Sequence, residues 1–265
     1  MKRALSAWRH VDRIGEVGRC AEQSEQWAAL TGAYLGITTL KYPYEFRLRD
    51  GGVLVLETPH DLVTTWIIFF RPEYCVAADS EVIVDAGANI GAFTLYASRR
   101  APRARIVSIE PFPDTASRLR DTIARNGLGG RVRCREFALA PVEGNKIVDV
   151  PPSSPSQSRN VSIAAAGATR IQCTTLAKLV ETEQLDRIDM FKMDIEGDEH
   201  EVLLSTPRDV LERIATFALE YHPNAPKSRI FSALAGAGLE LAADRADFEN
   251  SGVALFRRRG AARAS

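Results

Sequence analysis

Asp194, Glu196, Glu220 and His222 are residues of the types that move protons or hold cations, and they fall in two pairs, each with a single residue between its members. The first pair follows the strand-like run Ile188 to Met193, and the second closes the run that begins at Thr216. Side chains at the carboxyl ends of such runs face a common crevice if the runs are neighbouring parallel strands. A carboxylate or a neutral imidazole within hydrogen-bond reach of a reacting hydroxyl contributes typically about 10²–10⁴-fold to its activation. His222 is the first choice for that base, because an imidazole with an unperturbed pKa near about 6.5 is mostly neutral at neutral pH; Asp194 is the second. Asp194, Glu220 and His222 are also a donor set that could hold Mg²⁺, although magnesium rarely takes imidazole. An EF-hand reading of Asp194 to Asp198 fails because Gly197 comes too early. Lys192 alternates with Asp194 and is expected to neutralise it. Glu199, Glu201 and His200 read as a solvated helix face, and His10 and His60 as surface residues.

A second group lies earlier. The run Glu81-Val82-Ile83-Val84-Asp85 ends in an acid and leads into Gly87, Asn89 and Gly91; one strand and one helix later comes Glu110, followed by Pro111. Small residues at the carboxyl end of a first strand let a nucleotide approach the backbone, and an acid ending the next strand can accept both ribose hydroxyls of an adenosine. A dinucleotide fingerprint requires G-x-G-x-x-G, and Asn89 and Ala92 stand where its second and third glycines would be. S-adenosylmethionine carries no phosphate, so the wider turn suits it, with Asp85 holding the methionine ammonium directly or through water. Asp85, Gly87, Asn89, Gly91, Glu110 and Pro111 are therefore the expected cofactor residues.

These residues need strands that end together. From Glu81 onward short apolar runs alternate with helical patterns, which predicts an open, mostly parallel sheet with helices on both faces. Strands are expected at 81–85, 105–110, around 132–137, 188–193, 216–220 and 253–256, with a further run at 239–242. Helices are expected at 92–100, 113–126, 174–183, 199–204 and 228–237. Upstream, alternation around Asp50-Gly51-Gly52 predicts a β-hairpin from Tyr44, preceded by helical spacing up to Tyr34. The expected division is an extension of helices and hairpin over 1–70 and a cofactor-binding domain over 71–265. The Pro/Ser-rich segment Pro151 to Ser158 is the clearest loop; with the region before Tyr44 it is expected to shape the acceptor pocket.

The motifs together resemble a known family. Val84 to Gly91, Ser108-Ile109-Glu110-Pro111, Thr174-Thr175-Leu176, Ile188 to Gly197 with its Lys-Met-Asp-Ile-Glu-Gly element, and Leu219-Glu220-Tyr221-His222-Pro223 look like the FkbM family of S-adenosylmethionine-dependent methyltransferases. The resemblance covers about Tyr44 to His222. It implies the class I, Rossmann-like fold with seven strands, and O-methylation of hydroxyl groups on small metabolites or glycans. Such sequences commonly carry an acid after Thr-Thr-Leu, where this chain has Ala177 and Lys178.

Composition limits the alternatives. The 265 residues carry 34 basic and 34 acidic side chains, so no global field draws the chain to polyanions. Three basic stretches, Arg99 to Arg105, Arg131 to Arg135 and Arg257 to Arg263, offer a nucleic-acid methyltransferase reading, but aromatic interleaving is missing and the chain reads Asp-Ile-Glu-Gly rather than Asn/Asp-Pro-Pro-Tyr after the fourth strand. A non-catalytic S-adenosylmethionine-binding scaffold is the third reading. Cys20, Cys75, Cys134 and Cys173 form no paired motif and are expected to be reduced thiols. With no signal-like h-region and an apolar run, Thr64 to Phe70, far below the roughly 20 residues of a span, a soluble cytoplasmic protein is expected, without membrane or nucleic-acid partners and with homo-oligomerisation open. Phe93 and Tyr221 are expected to be core residues near the ligand.

Overall fold

The computed structural model describes residues 14–71, 73–148, 169–222, 226–248 and 251–259. The expected loop at Pro151 to Ser158 lies outside them, as do His10 and Pro223.

The parallel core is built from β3 (Val82–Ala86), β4 (Arg105–Ile109), β5 (Val132–Arg135), β9 (Ile188–Met193) and β10 (Ile214–Tyr221), joined at one edge by β12 (Ser251–Arg258) and β11 (Leu239–Phe248). The order is β11-β12-β10-β9-β3-β4-β5, with β12 antiparallel to both neighbours. The chain leaves β3 to one side for β4 and later returns to its other side for β9, so the sheet's switch point lies at the carboxyl end of β3.

Side-chain alternation divides the sheet into two faces. Val84, Ala86, Val107, Ile109, Phe191, Met193, Phe217 and Leu219 pack into one apolar cluster with α6 (Leu176–Thr182), α7 (Glu199–Ser205), α8 (Arg208–Leu211) and α9 (Lys227–Gly236). Ile83, Ile106, Met190 and Ala218 face the opposite way, toward α4 (Ala92–Arg100), α5 (Pro113–Arg125) and the N-terminal region. That region is α1 (Ile14–Gln23), α2 (Trp27–Tyr34), the hairpin β1 (Tyr44–Arg47) and β2 (Val53–Leu56), and α3 (Pro59–Phe70). Its buried Leu30, Phe46, Leu54, Leu62 and Trp66 share one apolar cluster with the sheet. Each such side chain contributes roughly 1.5–3 kcal/mol by leaving water.

Helix α3 was not expected from the sequence, where Thr64 to Phe70 read only as an apolar run. Its start is nonetheless encoded: Thr58 accepts from the Asp61 backbone N–H, Asp61 accepts from that of Thr58, and Pro59 opens the first turn. Arg118 of α5 pairs with the Asp61 carboxylate at 2.6 Å and anchors this end to the sheet domain. A second unexpected feature is a small sheet of β6 (Ala138–Leu139), β8 (Thr169–Thr174) and β7 (Gly144–Val148), placed between β5 and α6. Among the described residues no helix is long and apolar enough to cross a membrane.

Candidate active site

On the face covered by the N-terminal region, the carboxyl end of the sheet turns polar. Ser108, Asp85 and Lys192 are cross-strand partners in register on β4, β3 and β9, and Glu220 ends β10 on the same face as Ala218. Lys192 Nζ donates to the Gly87 carbonyl at 2.7 Å and stands 3.4 Å from Asp85 and 3.5 Å from Asp194. Burial opposes its charge, but Asp194 and Asp85 outweigh burial and hold the ammonium's pKa above its ordinary value.

Asp85 is fully buried and accepts from the Thr94 hydroxyl at 2.7 Å. Burial raises its pKa, and Lys192 and Thr94 offset this only in part. Asp85, expected to hold a ligand's ammonium directly or through water, is not among the cavity-lining residues and stands 3.4 Å from Lys192, which is.

The turn after β3 is left-handed at three positions, Gly87 (φ 76°), Asn89 (φ 50°) and Gly91 (φ 89°). A Cβ at Gly87 would come 1.7 Å from the Asp194 carbonyl oxygen, and one at Gly91 would press on Leu119 and Thr122. Both glycines are thus required by close approach of the protein's own chain, which the sequence argument had assigned to the ligand. Glu110 fits its expected place. Its carboxylate accepts from the backbone N–H of Asn89 at 3.0 Å and of Phe112 at 3.2 Å, which fixes its orientation. The half-buried Pro111 follows it.

A cavity of about 210 Å³ opens between this turn and helix α3. Gly87, Ala88 and Asn89 form one wall, and Asp194, Glu196, Glu220 and Lys192 another. The roof comes from α3 and includes His60, Thr64 and Ile68, a set at helical spacing. Tyr74 and Phe93 close the apolar side. Tyr221, by contrast, is buried away from it, its hydroxyl donating to Asp244.

Three acids, Asp194, Glu196 and Glu220, crowd this space beside the Lys192 ammonium, and burial with mutual repulsion disfavours their full ionisation. Burial, then Asp194, pushes Glu196 up to about 8, and the same two causes push Glu220 well above the usual carboxylate range. His222 stands behind Glu196, with Nε2 3.6 Å from it and Nδ1 3.1 Å from Glu199. Burial disfavours its charge, yet the hydrogen bond and charge of Glu199, with Asp194 and Glu196, raise it to about 9. The expectation of a neutral His222 is reversed: the ring carries a proton at neutral pH and is not among the cavity-lining residues.

Two residues read as surface are site residues. Glu199 is completely buried and accepts from the backbone N–H of Ile195 and Gly197 as well as facing His222, so it braces the whole turn from Asp194 to Asp198. The available signal was an acid in the first turn of a helix, next to a glycine at φ 112°. His60 lines the cavity, and its signal was the Thr58-Pro59-His60-Asp61 helix start. The basic stretches, in turn, serve the fold. Arg131 donates to carbonyls at the end of α4 and beyond it, Arg133 and Arg135 pair with Glu183, and Arg258 donates to three backbone carbonyls.

A sheet of this order, with one antiparallel strand second from its edge and ligand-type residues at the ends of β3, β4, β9 and β10, defines a class I methyltransferase. The chain belongs to the FkbM methyltransferase family: residues 85–241 match the family's model, described as the methyltransferase FkbM domain. Methyltransferase sdnD of Sordaria araneosa is 26% identical over 197 residues, covering 63% of this chain and 76% of that protein. Hexuronic acid methyltransferase AglP of Haloferax volcanii is 26% identical over 163 residues, covering 62% of this chain and 65% of that protein. The crystal structure of methyltransferase FkbM from Methylobacillus flagellatus shares the fold with a TM-score of 0.51 at 16% identity, over 94% of this chain and 60% of that one. The chain thus spans less than two thirds of the last two.

Proposed function

We propose that the protein is an S-adenosylmethionine-dependent O-methyltransferase acting on a hydroxyl of a small metabolite or glycan. The observation that carries this reading is the meeting of two groups from four strands around one edge of the sheet: the glycine turn with Glu110, and the acid set of Asp194, Glu196 and Glu220. Glu110 takes the ribose hydroxyls, the Gly87 to Gly91 turn with Asn89 and Pro111 borders the cofactor, and Asp85 positions that turn through Lys192. The acid set faces the methyl-bearing end. Methyl transfer is an in-line displacement, so most of the gain comes from holding acceptor oxygen, methyl carbon and sulfur in line. Asp194 and Glu220 orient the acceptor, and Glu199 holds His222 against Glu196 so that the wall keeps its shape. The name of AglP, a hexuronic acid methyltransferase, supports a sugar-like acceptor.

Glu110→Ala is expected to weaken S-adenosylhomocysteine binding at least about tenfold, because hydrogen bonds to a charged group contribute about 1.5–3 kcal/mol. Unchanged affinity in calorimetry removes Glu110 from the site. The reaction itself is tested by a screen of hydroxylated metabolites and glycans for the mass gain of one methyl group.

A divalent cation is a second reading with a specific basis. Asp194, Glu220 and His222 each offer a ligand atom, all within 4.8 Å of one another, and Glu199 at Nδ1 is the kind of partner that orients a metal-bound imidazole. Such an ion would polarise the acceptor oxygen as a Lewis acid. The Lys192 ammonium already sits 3.5 Å from Asp194, and this favours the metal-free arrangement. EDTA is accordingly expected to leave turnover unchanged; loss that Mg²⁺ restores assigns the site to the ion.

A further inference from the structure

The cavity has a second wall whose chemistry the sequence did not reveal. Among the described residues His60 is the only imidazole that lines it, at the second position of the helix that roofs it. Its Nε2 is buried and has no hydrogen-bond partner among the described residues, whereas both nitrogens of His222 face acids. A buried polar atom without a partner is uncommon, and at a ligand site it marks a place a ligand completes.

Resting on the methyltransferase reading above, we infer that His60 is the residue that meets the acceptor hydroxyl and takes its proton during transfer. As the acceptor oxygen bonds to the methyl carbon, the carbon–sulfur bond breaks and the sulfonium leaves as a neutral thioether. The hydroxyl proton passes to the His60 ring, which returns it to solvent after release. Burial, opposed by neighbouring Asp61, lowers the His60 pKa below its ordinary 6.5, which favours the neutral ring that a base requires. Asp194, the other candidate on the wall, is engaged by Lys192. Among the described residues Nε2 of His60 has no such partner, and its helix end is held by the Asp61–Arg118 pair.

Asp61 on its own helix is the charged group that acts on the ring, and the titratable and charged groups that line the same cavity are Lys192 from β9, Asp194 and Glu196 from the following turn, Glu220 from β10, and Tyr74. The test compares wild type with His60→Gln and His60→Ala. Turnover is measured with tritiated S-adenosylmethionine and a panel of methyl glycosides (glucoside, galactoside, fucoside and glucuronide), and cofactor binding by calorimetry with S-adenosylhomocysteine. On the best glycoside, His60→Gln is expected to lower kcat on the order of 10²-fold with S-adenosylhomocysteine affinity within about twofold, and to remove the acid limb of the wild-type pH profile of kcat/KM. A variant within about threefold of wild-type kcat overturns the assignment, as does a large loss of S-adenosylhomocysteine affinity, which makes His60 a cofactor contact. A second measurement needs no turnover. In ¹⁵N-histidine-labelled wild type saturated with S-adenosylhomocysteine, the His60 ring is expected to be neutral at neutral pH and to shift on adding the glycosides; a protonated or unmoved ring counts against it. Wild type that binds no S-adenosylhomocysteine overturns the proposed function itself, and the His60 role with it.

Discussion

Gly87→Ala is expected to lower the melting temperature on the order of 10 °C and to abolish cofactor binding. Two costs add. The left-handed backbone at Gly87 (φ 76°) costs an alanine roughly 1–2 kcal/mol. The new methyl carbon would lie 1.7 Å from the Asp194 carbonyl oxygen, and relieving such overlap by moving backbone costs typically about 1–3 kcal/mol or more. For a domain of this size each kcal/mol corresponds to about 2–4 °C. The atom overlapped is backbone, so no rotamer change relieves it, and the turn must separate from the end of β9. That separation also parts Lys192 from the Gly87 carbonyl and shifts Asp194 in the cavity wall, so binding falls together with stability. Gly129→Ala is the control, since a Cβ there meets nothing within 4 Å; its melting temperature is expected to stay near wild type. Thermal scans with calorimetry of S-adenosylhomocysteine binding read both effects, and a Gly87→Ala protein as stable as the control contradicts the packing described.

Lys192→Met is expected to destabilise by about 3–5 kcal/mol, the range for removing one partner of a buried ion pair. Lys192 is 3% exposed and Asp85 is fully buried. Without the ammonium, Asp85 keeps only the Thr94 hydroxyl, and the Gly87 carbonyl loses its side-chain donor. The destabilisation therefore comes chiefly from an uncompensated charge, and this makes a specific second expectation. Lys192→Met combined with Asp85→Asn removes that charge and should recover a large part of the stability, while Asp85→Asn alone should destabilise. Urea denaturation of the three variants closes the cycle. Additive losses, with no recovery in the double variant, would show that the pair is not coupled across β3 and β9.

Much of the scaffold was legible because it is written in local pattern. The run Ile188 to Met193 is apolar except at Asp189 and Lys192, in keeping with a parallel strand buried on both faces, and it forms β9 with the expected bounds. The Asp50-Gly51 turn formed the expected hairpin, and Pro113 with Asp114 opened α5. Helix α3 escaped notice because Val63 to Phe70 is apolar on nearly every position, and a helix buried on most of its circumference has no 3.6-residue stripe to detect. The small sheet of β6, β7 and β8 escaped because its strands are short and its pairing joins residues up to 35 positions apart, Ala138 with Cys173 among them. Such pairings leave no local mark.

The site divides along the same line. Residue types and their places at strand ends were readable, so Glu110, Asp194, Glu196 and Glu220 were named from sequence and lie at the carboxyl edge of the sheet. Their protonation was not readable. Whether an imidazole is charged depends on what is packed against it, and Glu199, 23 residues from His222 in the chain, decides that at 3.1 Å. The placing of His60, and not His222, in the cavity wall follows from distances that no spacing rule contains.

The amino-acid sequence by itself determined the alternation of strand and helix, the turn after β3 and the acids that end four strands, because these depend on periodicity and on the conformational preferences of single residues. The tertiary structure alone decided which atoms each glycine approaches, which acids line the cavity and which do not, and which histidine lies in its wall. Those outcomes depend on desolvation and on charge separations of a few ångströms between segments far apart in the chain, and only the closed fold sets them.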